Sequence, residues 1–573
     1  PLAIELVAAR VRLLSPAELL ARLRGPWLLS MDGLRDVSPR QKTLRSAIGW
    51  SYSLLTPTEQ TLFTRLAVFV GGCTLAAAEM LCGADATLSP SLSFSLSPPQ
   101  VLDGIASLLD KSLLHRQAGL YGEPRYVMLE TVREFGLERV ALSGQEAALR
   151  ARHTSCFLRL IEHAEQADLD PSRWQLLHLI DDDIHNLRAA LTWAMQHGSQ
   201  SALLISAALM CWLRTYGPRA EAKQLLAEVL ALPGATAHTI PRVKLLFEAG
   251  ILLLFSFEYD QAQAHGEESL ALSRELGYRQ GEADALLALG RIAHTGRYDQ
   301  AAAQHYLDMA LAIYRELNDL RGISYTTILL GEVAMYRADL SQARALAEES
   351  LAIAQQAGFW NPWPLSTLAS IVKLEGDLDR ARSLMEQLLP NLKTIGITAG
   401  CLTELGGIAT RQGDFAAAHA FLDKALGLWK ALGTEALVKL HCLPMAILFQ
   451  AEGDYERAVQ CYRQSLAATY HLRADWKTWL LGLGGLASTL GQHELAAALL
   501  GTTCTVDEAI HPFWPIERAD YNRLVAATRA SLGAAAFDAA WAEGRAAPFE
   551  AAVEAAVSTL EAVLRVTGQS TSA

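Results

Sequence analysis

The sequence predicts a mainly α chain, in which a compact leading domain is followed by a right-handed α-solenoid of about eight helical pairs. Three observations carry that reading. Alanines in related settings recur at Ala222, Ala262, Ala301, Ala343, Ala381, Ala418, Ala458 and Ala496, separated by 40, 39, 42, 38, 37, 40 and 38 residues. A period of that size marks a helix-pair repeat, whose apolar face is buried only by stacking on its neighbours. Ala and Leu dominate while aromatics make up 7%, a balance that favours helix over sheet. A chain of 573 residues, 51% hydrophobic and 19% charged, is also too long for one ordinary core.

The formal charge of -12 is unevenly spread. Residues 1–145 hold 14 Lys/Arg and 13 Asp/Glu, leaving 35 and 48 for the remainder. An acidic array repels nucleic acid, whose phosphates need clustered Lys and Arg. Eight cysteines without a C-x-x-C pair point to reduced thiols in a cytoplasmic protein, most of them small core residues. The longest uncharged stretch, Ala189 to Leu213, is broken by the polar run Gln196 to Ser201 and cannot serve as a membrane span. No targeting segment is visible, and a chain that opens on Pro1 rather than Met reads as a piece of something longer.

Taken in order, Pro1 to Leu14 has helical apolar spacing. Ser15, Pro16 and Glu18 then start a second helix with a capping box, and Gly25, Pro26, Gly33 and Pro39 form a hinge loop. Residues 43–145 carry helical patterns at Leu44–Leu55, Pro57–Phe69 (capped by Thr56 with Glu59), Leu75–Leu81 and Val101–Leu109, with a Ser/Pro-rich insert at Thr87–Pro99. A β-hairpin follows, from Ser112–Arg116 and Arg125–Leu129, and then a helix at Glu130–Leu142. Three helices and a hairpin are the order of a winged-helix domain. Its candidate recognition helix, Val101–Leu109, carries Asp103 and is followed by Asp110, with no cation before Lys111, so packing within the protein is favoured over DNA contact.

Residues 146–200 read as connecting helices, Ala147–Ala167 and Trp174–Gln196. The Asp181-Asp182-Asp183 run there is expected to be a solvated acidic face. His178 and His185 lie two helical turns, about 10.5 Å, apart, too far for one zinc ion, so no metal site is assigned. The α-solenoid occupies residues 201–530. Each first helix carries Leu-Gly/Ala-x-x-Ala, as in Leu289–Ala293 and Leu330–Ala334, and a glycine turn follows at Gly296, Gly376, Gly413, Gly453 or Gly491. The marker alanine then enters the second helix. Gly482-Leu483-Gly484-Gly485 falls at the same small-residue positions and reads as packing rather than as a nucleotide loop. Residues 531–573 read as C-terminal helices ending in a disordered polar tail from Gly568.

Several of these segments together resemble a known family. Pro1-Leu2-Ala3 resembles the second half of the Gly-Leu-Pro-Leu-Ala motif of NB-ARC signal-transduction ATPases, the STAND proteins. Thr43-Leu44-Arg45, Trp50-Ser51-Tyr52, Leu66–Phe69, Asp110–Leu113 and Met128–Glu134 resemble their winged helix, and the array resembles tetratricopeptide repeats lengthened by about one helical turn. The resemblance implies that residues 1–42 end an NB-ARC helical subdomain, that Pro1 packs near the adenine of ATP or ADP, and that Met128-Leu129-Glu130 is the phosphate-sensing position, with Leu129 in place of a histidine. It also implies an upstream nucleotide-binding domain in the parent protein. No Gly-Lys dipeptide occurs, so no P-loop is present and this chain alone is expected not to be an enzyme and to hold no cofactor.

The expected function is therefore that of a non-catalytic sensor, binding a protein partner or small-molecule inducer through the groove of the array and coupling it to the winged helix. The alternatives are a DNA-binding winged-helix transcription factor and a passive assembly scaffold. Proline-broken aromatic clusters, Phe359, Trp360 and Trp363 with Phe513 and Trp514, are candidate exposed anchors for the partner, against the plainer reading of packing at an irregular joint.

Overall fold

The computed structural model describes residues 44–83, 95–120, 122–167, 174–217, 219–392, 395–432, 435–469, 476–505 and 514–571. The expectations for Pro1, the helices through Glu18, the hinge loop, most of the Ser/Pro insert and Phe513 lie outside them. The described residues form 26 α-helices and one two-stranded sheet. They fall into two compact units, one within Pro1–Asp168, Arg173–Leu209 and Glu228–Ala237, the other chiefly within Met210–Ala227 and His238–Ala573.

The first unit opens with α1 (Leu44–Ser53), α2 (Pro57–Leu66), α3 (Leu75–Cys82) and α4 (Pro98–Asp110), then β1 (His115–Ala118), β2 (Pro124–Val127) and α5 (Glu130–Ser143). The start of α2 is set locally. Glu59 N–H donates to Thr56 Oγ1 at 3.3 Å while Thr56 N–H donates to Glu59 Oε2 at 2.7 Å, closing the expected box. The strands are antiparallel, with His115 opposite Val127 and Ala118 opposite Pro124. β1 begins three residues later than expected because Ser112, at φ +54°, still belongs to the turn that ends α4. Leu62, Phe63, Val101, Ile105, Leu108 and Phe135 form the core beneath the hairpin. Two long helices, α6 (Glu146–Ala167) and α7 (Trp174–His197), complete this unit's framework, and α7 is kinked at Asp183, where φ is -119° and ψ 20°.

Eight helical pairs follow, each of a first and a second helix. They are α8/α9 (Ser199–Tyr216, Arg219–Leu230), α10/α11 (Ile240–Leu254, Tyr259–Glu275), α12/α13 (Arg279–Arg291, Gln300–Leu317) and α14/α15 (Leu320–Tyr336, Leu340–Ala357). The others are α16/α17 (Trp363–Glu375, Leu378–Leu388), α18/α19 (Ile395–Gln412, Phe415–Ala431), α20/α21 (Glu435–Glu452, Tyr455–Thr469) and α22/α23 (Trp476–Thr489, His493–Thr503). Small residues let the two helices of a pair approach. Seven of the eight marker alanines are completely buried.

The exception is Ala301, which is exposed, its place taken by the fully buried Ala303. The cause lies just upstream. A π turn at Ile292–Arg297 extends α12, and Tyr298 takes the left-handed conformation at φ +56°, which shifts the register of α13. Gly296 is therefore buried inside the π turn rather than capping the helix. Counting from Ala303 changes the uneven separations of 39 and 42 residues to 41 and 40. Elsewhere the turns are as expected, with Gly376, Gly413, Gly453 and Gly491 at φ between +73° and +99°. Asp339, Asp377 and Asp414 cap the helices that follow, each accepting a backbone N–H three residues on.

Three more helices end the chain, α24 (Pro515–Leu532), α25 (Ala534–Ala546) and α26 (Phe549–Thr571). α26 runs past Gly568 to Thr571. Its Val553, Ala556, Val557 and Leu560 are buried in the core of the last pairs, which anchors the helix.

Candidate functional site

On the winged helix, the outward face of α4 presents Leu102, Asp103, Ala106 and Asp110. Lys111 beyond it is held by Glu59, 2.6 Å away, and by Ser107 Oγ at 2.7 Å. Lys111 and Ser107 in turn hold the Glu59 carboxyl down to about 2, so this pair stays ionised. The face offers a duplex two carboxylates and no uncommitted lysine.

At Met128-Leu129-Glu130, the position expected from the family resemblance to sense phosphate, Met128 is buried, Leu129 is 59% exposed, and Glu130 pairs with Arg133 at 2.7 Å. That bond holds the Glu130 carboxyl below its usual range. An exposed aliphatic side chain next to a persistent carboxylate does not fit a phosphate group, so no step is derived through a nucleotide here.

The polar contacts of the first unit gather on the hairpin instead. Arg125 on β2 meets Asp183 on α7 in a two-pronged ion pair at 2.6 and 3.1 Å, with 6% and 4% of the two side chains exposed. Arg125 also donates to Gly72 O at 3.1 Å. Asn186 Nδ2 donates to Gly72 O at 2.9 Å and to Asp183 at 2.7 Å, and Val70 N–H donates to Asn186 Oδ1 at 2.6 Å. The tip of the hairpin joins in, since Leu120 N–H donates to Asp182 Oδ1 at 2.8 Å. This overturns the expected solvated acidic face, because the kink at Asp183 turns its carboxylate inward. The winged helix is thus clamped to the helix that leads into the array. Gly72, at φ +86°, admits the approach of β2, since a Cβ there would stand 2.6 Å from Tyr126 O.

In the array, residues from four successive pairs meet at one side chain. The Arg291 guanidinium, at the end of α12, lies 4.9 Å from the ring of Phe255, 5.7 Å from Tyr325 and 5.8 Å from Trp363, and it also donates to the Tyr325 hydroxyl. Each partner belongs to a first helix or its end. Arg291 thus joins the first helices of pairs two to five on the side they share. One turn on, His294 Nε2 is 3.8 Å from Glu332 Oε2 on α14, and His294 Nδ1 is 2.7 Å from Gln300 Oε1. Burial pushes the Glu332 carboxyl up, offset in part by His294, Arg291 and the Thr367 hydroxyl, while a quarter of the side chain still reaches solvent. The patch can offer a partner a cation, a carboxyl and three aromatic surfaces.

The aromatic clusters divide. Trp363 belongs to this patch and is half-buried against Ile328, Ala347 and Leu368, while Trp360 is half-buried against the core around Ala369 and Met385, and Phe359 is half-buried beside it. Trp514 keeps only 6% of its surface and meets Tyr336 edge-on at 6.2 Å, which corrects the expectation of an exposed anchor there. Arg291, Phe255 and Tyr325 were not picked out from sequence. A usable signal exists in Leu289-Gly290-Arg291 and Leu330-Gly331-Glu332, where a charged residue follows the glycine that packs on the second helix.

Among known proteins, a winged helix-turn-helix domain model matches residues 55–141 and a tetratricopeptide repeat model matches residues 398–432. "Putative HTH-type transcriptional regulator Rv0890c" of Mycobacterium tuberculosis is 28% identical over 649 aligned residues, covering 96% of this chain and 71% of that protein. "Uncharacterized protein Rv0894" of the same organism is 35% identical over 153 residues, 27% of this chain and 37% of that protein. A STAND protein with a tetratricopeptide repeat sensor from Pyrococcus horikoshii superposes at a TM-score of 0.35 and 16% identity, covering 97% of this chain and 74% of that one, too loosely to carry an argument. By its own elements and by these family models, the chain joins a winged-helix domain to an α-solenoid of tetratricopeptide-like pairs.

Proposed function

We propose that this chain is the non-catalytic sensor portion of a larger cytoplasmic signalling or transcription regulator. The inner face of the array takes a protein, peptide or small inducer, and the winged helix passes the change to a nucleotide-binding domain elsewhere in the parent. The observation that carries this reading is the convergence of four first helices on Arg291, where a ligand would bridge pairs and so bias their packing. The clamp of Arg125 on Asp183 supports the second half, since it makes the winged helix and α7 move as one piece. The regulator named among the relatives supports the class of function, and eight cysteines outside any disulfide support the compartment.

A displayed library of random peptides, panned on the purified chain and counter-panned on Arg291→Glu, tests the ligand face. Peptides that hold the parent chain and lose the variant support it, and enrichment blind to the substitution overturns it. ATP turnover by the purified chain above a blank would remove the non-catalytic part.

A DNA-binding reading is favoured by the winged helix-turn-helix match. The acidic outward face of α4 weighs against it. A gel shift by the chain in low salt that fades as salt rises would restore it.

A further inference from the structure

The first helices of the later pairs already carry a helix of the same chain. Trp514 and α24 reach the first helices of four different pairs: Tyr336 on α14, α16, Arg411 on α18, and Thr478 and Gly485 on α22. Asp520 Oδ2 is 3.0 Å from Arg411 Nη1, and Thr478 Oγ1 donates to Glu517 Oε1 at 2.7 Å. Leu524 lies over Gly485, where an added Cβ would come within 3.8 Å of its Cδ2. In a stack, a helix ordinarily meets only the adjacent pairs. One that reaches the fourth, fifth, sixth and eighth must lie across the face that the first helices share. Trp514, Glu517, Tyr521 and Leu524 fall on one side of a helix, the spacing of a segment read from a groove.

The neighbouring helices are held differently. α25 is locked to α23 backbone to backbone, with Thr502 Oγ1 donating to Gly544 O at 2.9 Å and no room for a Cβ at Gly544. α26 sinks four aliphatic side chains into the core and stacks Phe549 on Trp476 at 3.8 Å. Within α24 itself, only Glu517 and Thr528 are buried. The stack is closed by α25 and α26, whereas α24, which also touches α23 and α25 through the Tyr521 hydroxyl at 3.1 Å from Cys504 Sγ and 3.3 Å from Trp541 Nε1, sinks little of itself into a core.

We propose that Trp514–Leu532 is an intramolecular ligand, seated across the first-helix face of pairs four to eight and displaced when the array engages a partner that presents an amphipathic helix with carboxylates on its groove side and an aromatic anchor. This rests on the reading of the inner face as the ligand surface. It predicts that the chain holds itself in the unliganded state, since a tethered helix acts at an effective concentration on the order of millimolar.

The test uses a fluorescein-labelled synthetic peptide of residues 514–532 and the full chain, read by fluorescence anisotropy. The parent chain, its face occupied, is expected to bind the peptide at least ~10-fold more weakly than a chain carrying Trp514→Ala and Asp520→Lys. Equal binding by both chains, or binding by neither, overturns the proposal. Hydrogen exchange on the same variant separates release from misfolding. Faster exchange confined to α24 supports the proposal, whereas loosening of α24, α25 and α26 together makes α24 a structural cap and overturns it. Either failure leaves the partner reading standing, because the library test reads Arg291, which α24 does not include.

Discussion

In the leading unit, segments 53 to 116 positions apart are tied by one buried polar cluster, in which Arg125, Asp183, Asn186, Gly72 and Val70 share six hydrogen bonds. In the array, the ties run between neighbouring pairs and repeat, as in Arg344 to Glu375 at 2.5 Å, Lys373 to Glu404 at 2.5 Å and Arg382 to Asp414 at 3.1 Å. The first arrangement concentrates the cost of a lost partner at one place. The second spreads it, because each of these ties joins one pair to the pair beside it. A hub of this kind fails as a whole, whereas a chain of local joints can yield at one place while the rest holds.

The largest test of that difference is Asp183→Ala, which leaves Arg125 buried without its counter-charge. A loss of about 3–5 kcal/mol is expected, read as early melting of residues 44–197 by hydrogen exchange while the array keeps its protection. Melting of both units together would mean that the cluster is not confined to the first.

Next in size is an acid effect in the same place. Burial presses the His153 imidazole down to about 4 from an ordinary 6.5, against a hydrogen bond to Asn186 Oδ1 that raises it, with Arg150 lowering it further. The unfolded chain therefore takes up this proton more readily than the folded one. Stability is whole above pH 6.5 and falls between 6.5 and 4, by on the order of 3 kcal/mol. Denaturant melts of the parent chain and of His153→Gln across that range check it, because the variant's curve loses this slope.

Smaller and local effects are expected in the array. Ala303→Leu or Ala381→Leu overpacks one joint and costs roughly 1–3 kcal/mol, while Ala301→Leu, on the surface, stays within about 0.5 kcal/mol. Equal costs at 301 and 303 would put the π turn of α12 in the wrong place. The smallest change concerns the turns. Phe257, Tyr298 and Ala338 are left-handed where later pairs use glycine. Ala338→Gly is expected to gain about 0.5–1 kcal/mol, and Gly376→Ala to lose about 1 kcal/mol, both measurable as shifts in thermal midpoint.

Much of the architecture was open to reading in advance, and for local reasons. The Thr56–Glu59 box, the αL glycines and the aspartate caps depend on residues three or four positions apart, so composition and spacing disclose them. The period of near 40 survives for the same reason, because every pair needs one small residue at its tightest contact. The π turn does not announce itself, since Ile292–Arg297 differs from an α-helical turn only in which carbonyl each N–H finds.

What the amino-acid order determined by itself is the class of the chain, its two kinds of unit, the number of pairs and the absence of a P-loop within it. What only the tertiary structure decided is which charged and aromatic groups act together. Asp183 reads as one of three solvated acids until the kink in α7 turns it onto Arg125, 58 residues away. Arg291 carries no mark until Phe255, Tyr325 and Trp363 close around it, and Trp514 reads as an exposed anchor until Tyr336 covers it. Periodicity records what each residue needs from its own helix, whereas a shared site depends on how successive helices are rotated against one another, and that rotation accumulates from packing along the stack.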